Sequence, residues 1–176
     1  DYFTKWVEAE ALASIKEKDV KKFGWQNIIT RFGIPKALIS DNGTQFDGRI
    51  FRGFCEEYKI EFYNSTLAYP QANGQAEASN KVVLDGLKKR LEKAKGKWAD
   101  ELPHVLWAYR TTPRRSTGET PFSLAYGMEV VIPLEVGLPT IRSENFVPDL
   151  NGEGITLELD LVEESRERAL VHIASY

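Results

Sequence analysis

The chain has 176 residues, 42% of them hydrophobic and 28% charged, which is enough for one hydrophobic core and too little for two ordinary domains. One cysteine and two histidines exclude an internal disulfide and a four-ligand Cys/His zinc site, and no run approaches the roughly eighteen apolar residues of a membrane span, so no membrane partner is expected. The formal net charge of −3 argues against a polyanionic partner, but 10 acidic and 3 basic residues lie from Glu129 onward, which leaves 16 acidic and 20 basic before it and a surplus of about four positive charges there.

The chain opens on Asp1 in strand-like sequence and is expected to be a fragment entered midway through a domain. Trp6–Leu12 alternates apolar with charged or small residues, the period of a half-buried strand. Ser14-Ile15-Lys16-Glu17 has the form of a capping box, so a helix is expected from Ser14 to about Phe32, stopped by Gly33-Ile34-Pro35. Ala37–Ser40 is a short strand ending at Asp41. Phe51, Phe54, Cys55 and Tyr58 mark one face of a second helix, and Ile60–Ser65 a further strand. Leu67–Asn73 reads as a loop leading into Gly74-Gln75. A long helix follows, with Glu77 in its first turn. Its buried stripe is expected at Asn80, Val83, Leu84, Leu87, Leu91 and Ala94; Lys81, Lys88, Lys89, Arg90, Lys93 and Lys95 are left for solvent or phosphate. Trp98–Tyr109 is a helix with Leu102, Val105, Leu106 and Tyr109 inward and Pro103 in its first turn, and Trp98 and Trp107 read as core or interface residues. Ser116–Gly127 starts as a turn and becomes a short apolar element. Residues 1–133 form the expected core domain, 134–156 a linker and 157–176 a peripheral helix, spaced by Leu161, Ser165, Leu170 and Ile173.

Two carboxylates stand where chemistry is plausible. Asp41 ends an apolar strand in a D-N-G turn, the edge at which open α/β sheets present ligands, and Glu77 opens a helix. By themselves they read first as a turn residue and an acid favoured by the helix dipole. His104 reads as a partly exposed helix residue and Cys55 as a small core hydrophobe.

The segments around them carry more. S-D-N-G-T-Q-F (Ser40–Phe46), Y-P-Q-A-N-G-Q-A-E-A-S-N-K (Tyr69–Lys81), D-Y-F-T-K-W-V-E-A-E (Asp1–Glu10), R-F-G-I-P (Arg31–Pro35), W-A-Y-R-T-T (Trp107–Thr112) and T-P-F-S-L-A-Y-G (Thr120–Gly127) occur in this order. Together they resemble retroviral and retrotransposon integrases, most of all the gypsy class of long-terminal-repeat elements in its plant form. The resemblance implies an α/β ribonuclease-H-like fold, N-terminally truncated, with a C-terminal helical extension. It further implies three carboxylates holding two Mg²⁺ (or Mn²⁺) ions roughly 3.5–4 Å apart. Asp41 and Glu77 match the second and third of these, whereas the first belongs upstream of Asp1, itself expected to be a strand-end acid, so these residues alone are expected to be inactive. Lys81, Asn80 and Lys88 are the implied DNA contacts. DNA, as element ends and target, is the implied partner, with a homo-oligomeric parent and a nuclear location. Two alternatives stand beside integration: a purely hydrolytic ribonuclease-H-fold nuclease, and a non-enzymatic nucleic-acid-binding or assembly remnant.

Overall fold

A computed structural model describes residues 1–64, 70–94, 98–131 and 147–175; they divide into Glu8–Leu106 and a second unit of Asp1–Val7 with Trp107–Tyr176. The expected strand end at Ser65, the loop residues Leu67–Tyr69, Lys95 and most of the expected linker lie outside the described residues. Among the described residues no helix is long and apolar enough to cross a membrane.

The unit Glu8–Leu106 begins with α1 (Glu17–Phe23), continued by a π-helical stretch (Gly24–Ile29) and α2 (Thr30–Phe32). There follow β1 (Ala37–Ser40), α3 (Thr44–Asp47), α4 (Arg49–Glu57), β2 (Glu61–Asn64), α5 (Pro70–Ala94) and the larger part of α6 (Trp98–Arg110). β1 and β2 pair in parallel, from Ala37 opposite Glu61 to Ser40 opposite Asn64. Phe51, Phe54, Cys55 and Ile60 are buried, and Leu38, Phe46 and Phe62 pack against them, so the apolar spacing of α4 and the strand alternation meet in one core. Ile39 and Tyr63, opposite each other on the other sheet face, are 57% and 52% exposed.

Trp6–Leu12 is not a strand. Alternation suits a pleated surface, but a strand also needs a neighbour's N–H and C=O groups, and among the described residues the only sheet is β1–β2. Instead Glu8, its side chain 5% exposed, pairs with Arg31 of the R-F-G-I-P segment at 3.1 Å. The helix start also differs. It lies at Glu17, where the Asp19 carboxylate accepts the Lys16 N–H at 3.1 Å. Glu17 is drawn away from its own helix and accepts the Ile50 N–H at 3.0 Å, satisfying a free donor in the first turn of α4. A Cβ on Gly48 would lie 1.4 Å from Glu17 Oε1, so a glycine at this N-cap leaves room for that carboxylate. The expected stop holds: Gly33 has φ 83°, a conformation that favours glycine.

α4 ends in a Schellman motif. The Ile60 N–H donates to Cys55 O at 2.8 Å and the Lys59 N–H to Glu56 O at 3.1 Å. The left-handed position that glycine usually fills is held by Lys59 at φ 56°. Lys59→Gly is therefore expected to stabilise this unit by about 1 kcal/mol, read as a higher midpoint in urea denaturation; an unchanged or lower midpoint would contradict the cap.

α5 starts at Pro70, earlier than the expected loop allowed, because proline has no N–H to leave unpaired and its fixed φ suits a first helical residue. Pro70–Asn73 are thus helical, and Glu77 lies about two turns into the helix rather than in its first turn. Val83 and Leu87 are buried, but Asn80 and Leu84, also expected inward, are exposed. The inward face is turned toward α6, where a Cβ on Gly86 would meet Val105 Cγ1 at 2.8 Å. In α6, Leu102, Val105, Leu106 and Tyr109 are buried as their spacing indicates, while Trp98 and Trp107 are exposed and do not join a core. Pro103 is the sixth helical residue, beyond the first turn, and has no N–H to offer the Ala99 carbonyl.

The second unit contains the end of α6, α7 (Pro121–Tyr126), a 3₁₀ turn (Pro148–Leu150) and α8 (Asn151–Ser175). T-P-F-S-L-A-Y-G is a helix with both ends built in. Thr120 Oγ1 accepts the Ser123 N–H at 2.9 Å, Pro121 is the first helical residue, and Gly127 at φ 77° returns its N–H to Ser123 O at 2.7 Å. The W-A-Y-R-T-T segment is structural too. Arg110 lies over the Trp6 ring at 4.5 Å and donates to Val7 O at 3.0 and 2.8 Å; the Trp6 ring also meets Tyr126, centroids 5.3 Å apart. α8 begins at Asn151, six residues before the expected start. Val162 and Ala169 are buried, the former beside Gly127, whereas Leu161 and Leu170 face out. Around the helix Val162 and Ala169 lie between Leu161 and Leu170, with Ser165 and Ile173 half-buried beside them, so the inward stripe keeps its direction and is narrower than the expected one.

Candidate metal and nucleic-acid site

β1 ends at Ser40, which sets Asp41 at the carboxyl edge of the sheet. Asp41 Oδ1 accepts the Gly43 N–H at 3.0 Å, an Asx turn that swings the chain into α3. The Asp41 side chain is exposed, and its other oxygen has no hydrogen-bond partner among the described residues. Glu77 is exposed on α5, which lies against β1 in the same unit. Carboxylate oxygens are hard donors of the kind that Mg²⁺ prefers, so the chemistry of this pair fits the ion. Among the described residues, no group of three or more His, Cys, Asp or Glu side chains gathers where it could hold a metal.

Asp1, the third acid of interest, serves its own turn: its Oδ2 accepts the Thr4 N–H at 2.8 Å and the Thr4 hydroxyl, and its amino group donates to Trp6 O. It is not the end of a strand.

Lys81 and Lys88 are exposed and, four and eleven residues after Glu77, share its face of α5. Lys88 stands 3.9 Å from Asp85 with both side chains largely in water, a pair too solvated to hold the ammonium group away from another anion. Asn80 is exposed and borders the same face. The side chain of Lys93 and the position of Lys95 lie outside what is described. His104 is exposed, 3.8 Å from Glu101, and Cys55 is buried, both as expected; burial pushes the Cys55 thiol up.

One polar group at this edge is not legible in the sequence. Asn64 closes β2 opposite Ser40, and its Oδ1 is buried with no hydrogen-bond partner among the described residues. The neighbouring Tyr63 hydroxyl is engaged, donating to Glu61 Oε2 at 2.7 Å, a bond that pushes the phenol up.

No protein-family model matches the chain. It is 36% identical over 151 residues to the Gag-Pol polyprotein of Woolly monkey sarcoma virus, covering 85% of this chain and 9% of that polyprotein. Against the Gag-Pol polyprotein of Avian reticuloendotheliosis virus the identity is 32% over 143 residues, covering 81% and 12%. The chain therefore spans only 9% and 12% of the length of these relatives. In fold it matches the HTLV-2 integrase catalytic core domain in complex with magnesium, in its trimeric form, with a TM-score of 0.59 and 19% identity over 70% of this chain and 78% of that one. The chain is thus homologous to a segment of retroviral Gag-Pol polyproteins and shares the ribonuclease-H-like fold of integrase catalytic cores.

Proposed function

We propose that this chain is the catalytic-core portion of a retroelement integrase, of the plant-like gypsy class, in which Asp41 and Glu77 hold divalent metal for polynucleotidyl transfer on DNA. The observation that carries this reading is the placement of the two acids. One sits at the carboxyl edge of β1 in S-D-N-G-T-Q-F and the other in E-A-S-N-K on the helix lying against that strand, both within the unit Glu8–Leu106. Two Mg²⁺ ions, when bound, would supply the charge that activates the attacking oxygen and stabilises the leaving one. Asp41 and Glu77 provide anionic oxygens to hold them, and the Gly43 N–H fixes one oxygen of Asp41. Lys81 and Lys88 hold the DNA backbone along the Glu77 face, with Asn80 at its border. On this reading water first trims the element's ends, and the freed 3′-hydroxyl then attacks target DNA. The magnesium and trimeric form of the HTLV-2 structure support a metal-dependent homo-oligomer. A nuclear location belongs to the same reading.

The test is incubation of two proteins, these 176 residues alone and the same residues joined to the upstream segment that supplies the first carboxylate, with Mg²⁺ and labelled duplex bearing the element's ends. Joined products are expected from the extended protein and none from the 176 residues alone, which supply two of the three carboxylates. Cut but unjoined products would instead indicate a hydrolytic nuclease, and binding without either a non-enzymatic module. DNA affinity supplies a second measurement: Lys81→Ala and Lys88→Ala are each expected to lower the slope of log K against log salt by about one, with similar effects on all sequences. Slopes unchanged in both variants would remove this face of α5 from the DNA interface.

A further inference from the structure

We infer that Gln45 is a DNA contact of the proposed site, its side-chain amide donating to a phosphate oxygen beside Asp41; this rests on the reading of that sheet edge as the place where DNA meets the metal ligands. Gln45 is the second residue of α3, just after the D-N-G turn, and is half-buried. Its side chain folds back over the turn. A Cβ on Gly43 would meet Gln45 Cδ at 2.8 Å, with Nε2 nearer still, and Asp41 Oδ1 at 2.9 Å. The amide carbon and the carboxylate oxygen are thus separated by no more than the sum of these two distances, close enough for one phosphate group to lie against both. Gly43 itself has φ −65° and ψ 134°, angles open to any residue. Glycine is needed here for room, and the Gln45 amide takes that room.

The amide carries two N–H donors and has no hydrogen-bond partner among the described residues. Asp41 Oδ1 is held by the Gly43 N–H instead. A phosphodiester presents acceptors and a negative charge, so the carboxylate repels it and a donor at this place attracts it. The type of donor matters. A lysine or arginine so close to Asp41 would pair with it and cancel the charge that a divalent ion requires. A neutral amide binds the phosphate oxygen and leaves that charge intact. Because Gln45 is already held against the turn, it has less rotamer freedom to lose when DNA binds. Lys81 and Lys88 belong to α5 and Gln45 to α3, so two elements of the same unit meet the DNA backbone.

The experiment uses the protein extended upstream through the first carboxylate. Its affinity for a labelled duplex bearing the element's end is read by fluorescence anisotropy with Mg²⁺ at several salt concentrations, beside its thermal unfolding. Gln45→Met keeps the length of the side chain and its cover over Gly43 but has no N–H. It is expected to raise Kd about tenfold, with the slope of log K against log salt unchanged because no charge has been removed, and to leave the melting temperature where it was. Gln45→Glu sets an anion against the phosphate and is expected to bind more weakly still. Unchanged affinity in Gln45→Met, affinity of Gln45→Glu equal to the parent's, or a loss of affinity that comes with a lower melting temperature overturns the inference. Asp41→Asn separates the two levels. Weaker binding in Gln45→Met while Asp41→Asn still joins DNA refutes the metal ligand only, and unchanged binding in Gln45→Met while Asp41→Asn abolishes joining refutes Gln45 only. An extended protein that binds no duplex refutes both.

Discussion

In the protein extended upstream through the first carboxylate, Asp41→Asn and Glu77→Gln are each expected to lower Mg²⁺-dependent DNA joining by about a thousandfold, equivalent to about 4 kcal/mol of transition-state stabilisation. Each change keeps the shape of the side chain and replaces an anionic oxygen by an amide, so the hard, charged ligand that Mg²⁺ needs is gone while the packing is not. Both side chains are exposed, and their substitution should shift the melting temperature little. DNA affinity without metal should be retained or slightly raised, because a negative charge has left the surface that meets phosphate. The measurement is therefore threefold: joining, binding and unfolding on the same preparations. Retention of joining by either variant would refute its assignment as a ligand. Loss of joining together with loss of folding would place that carboxylate in the structure rather than in the chemistry.

The largest stability effect is expected at Phe54. Its residue is 1% exposed, its ring lies 5.3 Å from the Tyr58 ring and 6.1 Å from the Phe51 ring, and a Cβ on Gly24 would touch its Cε1 at 3.4 Å. α1, the π-helical stretch and α4 thus converge on one side chain. Phe54→Ala removes the ring and leaves a cavity, which typically costs about 3–5 kcal/mol, a large share of the roughly 5–15 kcal/mol by which folded domains are stable. Phe54→Leu, which refills most of the volume, should cost much less. Denaturant unfolding followed by far-ultraviolet circular dichroism reads both. A loss below about 1 kcal/mol for Phe54→Ala would mean that the core closes around another centre.

Much of the local structure was legible because it depends on neighbours in sequence. The i, i+3, i+4 spacing of Phe51, Phe54 and Cys55 and that of Leu102, Val105, Leu106 and Tyr109 identify buried helix faces, and all seven residues are buried. Gly33 stops a helix where a positive φ is needed. A helix start is less local. The Ser14 box offered a sound cap, but the Glu17 carboxylate is held by the Ile50 N–H, a partner 33 residues away. Which part of an apolar stripe is received was equally beyond periodicity: Leu84, Leu161 and Leu170 belong to the stripes of α5 and α8 yet lie outside, because an amphipathic pattern sets a face only broadly and the receiving surface chooses.

The site divides in the same way. The order of motifs in the sequence determined the family resemblance, and with it the choice of Asp41 and Glu77 from among 26 acidic residues. The sequence likewise contained both caps of α7 in T-P-F-S-L-A-Y-G, since capping uses groups within a few residues of one another. Only the tertiary structure decided that β1 and α5 lie together and that Trp6–Leu12 has no strand to pair with among the described residues. It alone showed that Asn64, opposite Ser40, carries a buried oxygen with no partner among the described residues. Each of these depends on which backbone comes to lie alongside which, and a buried acceptor is recognised by the donor it lacks in space, for which no spacing of residues along the chain is a signal.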